Sequence, residues 1–142
     1  MFGRRKRSQG VTLLEVVASA ALLAVTLVPA LKFMRDAVNR TARVETQQLL
    51  ATYCASKLDE QLCRAAATFT AANAIGDCSA DGYPQIKYWV YGTTDPASGG
   101  IANQLMAVYS FVWQDLNGNS TYETGEPYAW AGGAVAKMSR YQ

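Results

Sequence analysis

The chain has 142 residues, thirteen Lys and Arg against eleven Asp and Glu, and a formal net charge of +2. That length allows one domain with one modest core. There is no histidine, which removes the commonest general base, the usual catalytic-zinc ligand and any Ser-His or Cys-His nucleophile pair.

Met1 to Gly10 is a short polar segment holding Arg4, Arg5, Lys6 and Arg7. Without it, nine basic residues face eleven acidic ones, a balance of −2. A nucleic-acid binder usually carries its positive charge on the folded domain, so no nucleic-acid partner is expected. A basic tail this close to an apolar run reads as a cytoplasmic anchor that sets membrane orientation. The competing reading is a generic basic tail.

Val11 to Leu31 is a run of 21 residues with one charge, Glu15. As a helix it is roughly 30 Å long, enough to cross the hydrocarbon of a bilayer. The basic flank predicts the N-terminus in the cytoplasm and the remainder outside. From Phe33 to about Ala72 there is neither proline nor glycine. Leu50, Cys54, Leu58, Leu62, Ala65 and Phe69 recur at helical spacing, with Arg43, Gln47, Lys57 and Arg64 assigned to the opposite face. The pattern predicts an amphipathic helix continuing the membrane helix. Pro29 within it removes one backbone hydrogen bond and favours a kink.

Asn73 to Gly82 reads as a breaker segment. Pro84–Tyr91 and Gln104–Gln114 read as strands, rich in aromatic and β-branched residues. Gly92 to Gly100 reads as a loop between them. Pro127–Lys137 is a weaker third strand because of Gly132 and Gly133. The expected fold is α+β: a long N-terminal helix, membrane half plus amphipathic half, packed on a small antiparallel sheet. The expected organisation is residues 1–10 as leader, 11–31 as membrane helix and 32–142 as an extracytoplasmic head.

The segment Ser8-Gln9-Gly10-Val11-Thr12-Leu13-Leu14-Glu15-Val16 joins a basic leader, a glycine, an apolar residue and a glutamate five positions after the glycine. It resembles the cleavage signal of bacterial type IV pilins and type II secretion pseudopilins. Val11 departs mildly from the Phe or Met common at the first mature position, and Pro29 lies somewhat earlier than the proline common in these helices. The resemblance covers about the first 35 residues well and the continuing helix loosely. It implies cutting after Gly10 and N-methylation of Val11 by a prepilin peptidase. The apolar helix is then retained, unlike the discarded core of an ordinary secretory peptide. Implied partners are other pilin or pseudopilin subunits, an inner-membrane assembly platform and the membrane itself. The implied location is the bacterial inner membrane with a periplasmic head, then a filament.

Glu15 has a physical rationale of its own. A carboxylate in hydrocarbon costs on the order of 2.5–3.5 kcal/mol and is retained when it has a partner. Cleavage would create an α-amine on Val11, about 6 Å down the helix. Glu15 can pair with that amine, or with a neighbouring subunit's, which is what the resemblance implies. The alternative is a glutamate that snorkels to the interface unpaired.

Asp115 to Glu126 places Asp115, Asn117, Asn119, Glu123 and Glu126 at positions one, three, five, nine and twelve, with the Thr121 carbonyl at seven. This is the spacing of an EF-hand-like calcium loop. Ser120 stands at position six, where the sharp turn favours glycine. A structural Ca2+ is the one cofactor expected. The alternative is a polar hairpin connection, since Asn-Gly forms turns without metal.

Cys54 and Cys63 are nine residues apart, about 13 Å and half a turn on one helix, and cannot bond. Cys63 with Cys78 is the better pair and would add about 3 kcal/mol; the alternative is three thiols. Tyr83, Tyr88, Trp89, Tyr91, Tyr109, Phe111 and Trp113 read as core and cross-strand pairs, or as a sugar or nucleobase platform. With no nucleophile pair, phosphate loop or clustered carboxylates, no enzymatic activity is expected. A filament subunit is the first functional expectation; a membrane-anchored, calcium-dependent binding module is the second.

Overall fold

The structure is a computed structural model that describes residues 13–71 and 73–138. The basic leader and the Gly10–Val11 junction lie outside the described residues. One helix and four strands follow in order: α1 (Leu13–Thr68), β1 (Asn73–Cys78), β2 (Tyr83–Thr93), β3 (Leu105–Gln114) and β4 (Tyr128–Ala136). The chain divides into two compact units, one ending at Ala42 and the other starting at Arg43.

In the first unit every described residue is exposed. Apolar side chains such as Leu13, Leu14, Leu22, Leu23 and Leu31 stand free on all sides. The helix is long and apolar enough here to cross a membrane. It is assigned as helix straight through Pro29. Backbone groups satisfied within the segment make a helix viable where water is absent.

The second unit is α+β. Its strands form one antiparallel sheet in the order β1-β2-β3-β4. Side chains alternate across a strand, so the register sorts the residues into two faces. One face meets the second half of α1. Leu50 and Cys54 join Cys78, Ile86 and Val112 in one cluster, and Leu58 and Ala65 join Val90, Met106 and Val108 in another. Burying such side chains is worth roughly 1.5–3 kcal/mol each for the larger ones, which is what a helix with no membrane around it needs.

Three details differ from the sequence reading. The helix ends at Thr68, short of Ala72. Phe69 takes the left-handed conformation, φ 48°, and its N–H donates to Ala65 O at 2.8 Å. A left-handed residue is a common helix stop, and here the ring packs against the cluster of Leu58, Ala65, Val90, Met106 and Val108. Lys57 does not sit on a solvated opposite face. Its Nζ lies 4.7 Å from the centre of the Tyr88 ring and 3.4 Å from Glu60, while Gln61 is buried on the sheet side.

Most of the expected breaker segment is the edge strand β1. Gly76 is what allows it: a Cβ there would sit 2.6 Å from the Tyr88 hydroxyl. Glycine within a strand marks such close approach. The other three strands fall close to their expected positions, with β2 running on to Thr93.

Candidate functional site

Glu15 lies in the first turn of α1 and is exposed. A carboxylate near a helix N-terminus is favoured by the helix dipole. Its expected partner amine on Val11 lies outside the described residues, as does the processing site at Gly10.

The loop between β3 and β4 is built from its own oxygens. It is closed at the base by Gln114 N–H donating to Pro127 O at 2.9 Å, and tied to β2 by Asp115 N–H donating to Gln85 O at 2.8 Å. Asp115 is 6 % exposed; its Oδ1 accepts from Gly118 N–H and its Oδ2 from Ser120 N–H, both at 2.7 Å. Glu126 is 8 % exposed; its Oε1 accepts from Leu116 N–H at 2.9 Å and its Oε2 from Glu123 N–H at 3.0 Å. Asn117 Oδ1 accepts from Asn119 N–H, Asn119 Oδ1 from Thr121 N–H, and Asn119 Nδ2 donates to Glu123 Oε1 at 2.7 Å.

All six expected donor residues are therefore in this one loop. Ser120, at the sixth position, has φ 60°, the conformation that normally calls for glycine. Burial pushes the Asp115 carboxyl up, but the N–H groups of Ser120, Gly118, Asn119 and Asn117 outweigh it and hold it below the usual carboxylate range. Among the described residues, no ion pair forms between Asp115 or Glu126 and a basic side chain. All four oxygens of these two buried carboxylates accept backbone N–H groups of the loop, which satisfies them without a cationic side chain. Among the described residues, no group of three His, Cys, Asp or Glu could hold a metal.

Cys54, Cys63 and Cys78 are free thiols. Cys63 is exposed, while Cys78 is buried in the cluster that also contains Cys54. Cys54 Sγ donates to Ser110 O at 3.3 Å. Burial pushes both buried thiols up from their ordinary value.

The sheet face turned away from α1 carries most of the aromatics. Ile75 pairs with Trp89, Trp89 with Phe111, and Phe111 with Trp130, so one row crosses all four strands. Ile75 is 72 % exposed, Trp89 44 % and Trp130 67 %. Tyr122 from the loop stands edge-on to Phe111 at 5.1 Å, and Tyr128 stacks on Phe111 at 5.4 Å. Trp113 forms part of the same face at 5 % exposure, and its Nε1 is buried with no acceptor among the described residues. Of the aromatics read as core and cross-strand pairs, Tyr88 is on the helix side, while Trp89 with Phe111 and Tyr91 with Tyr109 pair across strands on the other face. The sequence held a signal for this, since Lys87, Trp89 and Tyr91 alternate with Ile86, Tyr88 and Val90. Both alternating sets are bulky, so period two alone could not choose the inner one. No family model matches the chain, nor does any curated protein or solved structure.

Proposed function

We propose that this chain is a non-enzymatic filament subunit, a minor pseudopilin of a type II secretion system or a minor type IV pilin. The observation that carries the reading is a 56-residue helix with an exposed apolar first half, Glu15 in its first turn and a second half that packs a small sheet. The apolar half would anchor the precursor in the inner membrane with its head in the periplasm, then enter a bundle of like helices. Glu15 would draw the Val11 amine of a neighbour into register, since an intramembrane carboxylate is stable only when paired. The loop from Asp115 to Glu126 would hold one structural Ca2+, fixing the connection beside the sheet at the weak affinity expected of three carboxylates.

The test is co-expression of the precursor with a prepilin peptidase, followed by mass spectrometry of the mature N-terminus. The expected product begins at N-methylated Val11 and keeps the apolar helix. An uncut chain, or one trimmed after the apolar run, would overturn the reading. For the loop, added calcium should raise the melting temperature and chelation should lower it; no shift in either direction would remove the metal.

A further inference from the structure

We propose that the outer face of the sheet is a binding site for a neutral polysaccharide chain. It does not rest on assembly through the N-terminal helix.

The floor is largely aromatic. Trp89, Phe111 and Trp130 are cross-strand neighbours, and adjacent strands lie about 4.8 Å apart. A sugar chain lying across the strands would pass over Trp89 and Trp130, the two exposed rings of the row, with half-buried Phe111 between them. The apolar C–H face of a pyranose stacks on such rings, while its hydroxyls stay at the rim. Trp89 is held in place for this: its Nε1 donates to Asn73 Oδ1 at 2.6 Å. Two shallow grooves, of about 300 and 430 Å3, are both lined by Trp89 and Phe111. Both are open, which suits a chain better than a compact small molecule. Ser120 and Thr121 of the β3–β4 loop line one wall and bring hydroxyls beside the rings.

Charge selects among chain-like ligands. On the outward positions of the four strands the charged residues are Asp77 and Lys87, and they pair with each other at 3.3 Å. The loop that forms the wall holds Asp115, Glu123 and Glu126 and no basic residue. A nucleic acid or an acidic glycan would meet no neutralising charge and would be repelled by the wall. The grooves are lined by aromatic and hydroxyl-bearing side chains, with one aliphatic residue, Ile75.

The chain's three tryptophans, Trp89, Trp113 and Trp130, are all on this face, so intrinsic fluorescence reads the site directly. The full chain in lipid nanodiscs, free of sugar-based detergent, would be titrated with cellohexaose, xylohexaose, mannohexaose and soluble xyloglucan. The expected result is a saturable change in emission with at least one of them, unaffected by raised salt. Trp89→Ala and Trp130→Ala should each weaken it about tenfold. Trp130→Ala, at an exposed edge position, should leave the melting curve unchanged and so separates lost binding from lost folding. No saturable response to any of the four would overturn the proposal, as would binding that neither variant weakens. So would salt-sensitive binding of single-stranded DNA in their place, or tryptophan burial that depends only on protein concentration, which would make the face an interface between copies.

Discussion

Replacing Ser120 by glycine should stabilise the head. Ser120 holds φ 60°, where a Cβ crowds the backbone at a cost of about 1–2 kcal/mol. Its N–H donates to Asp115 Oδ2 at 2.7 Å, a backbone bond that every substitution except proline keeps. Its side chain is exposed, so removal loses no burial. Glycine relieves the crowding but gives the unfolded chain more freedom, which returns roughly 0.5–1 kcal/mol. The net gain for Ser120→Gly is about 0.5–1 kcal/mol, or about 4 °C in Tm for a domain of this size. Ser120→Val should lose stability, since a β-branched residue fits this conformation worst. Thr121→Gly is the control. Thr121 is not among the positive-φ residues, so glycine there adds freedom without relieving strain and should lower Tm. Thermal melts of the full-length chain in nanodiscs, followed by tryptophan emission, check all three. A Ser120→Gly protein no more stable than wild type, or a Thr121→Gly protein stabilised as much, would refute the strain argument.

Leu50 is fully buried among Cys54, Cys78, Ile86 and Val112, so Leu50→Ala should cost about 2–5 kcal/mol, while exposed Gln47→Ala should change stability by less than about 0.5 kcal/mol; denaturant melts compare them. The Asp115 carboxyl titrates below its ordinary value of 3.8 in the folded loop. Its contribution is therefore fully present above that value and lost as pH falls through the lower folded one. Acid titration of the melting temperature should show a fall that Asp115→Asn flattens, and an equal fall in both proteins would assign it elsewhere.

The loop from Asp115 to Glu126 was legible in outline because its chemistry is local. Each carboxylate or amide oxygen reaches backbone N–H groups within ten residues of itself, so spacing alone places them together. The same holds for the long helix, whose apolar period needs no distant partner to be seen. Strands β2, β3 and β4 were legible from composition, within a few residues at their ends.

What the tertiary structure decided was anything that depends on a partner far along the chain. Asn73–Cys78 has a composition of turns, and becomes a strand because β2 offers a free edge and Gly76 lets Tyr88 pass. Lys57 leaves the solvated face because the Tyr88 ring, thirty-one residues on, lies under its ammonium. Cys78 enters the core beside the helix and Cys63 stays outside it, a sorting that depends on how β1 docks and not on sequence distance. The outward row of Trp89, Phe111 and Trp130 is the clearest case. Aromatic residues suit either face of a strand, and only the register across four strands, set by which side α1 covers, decides which rings meet solvent.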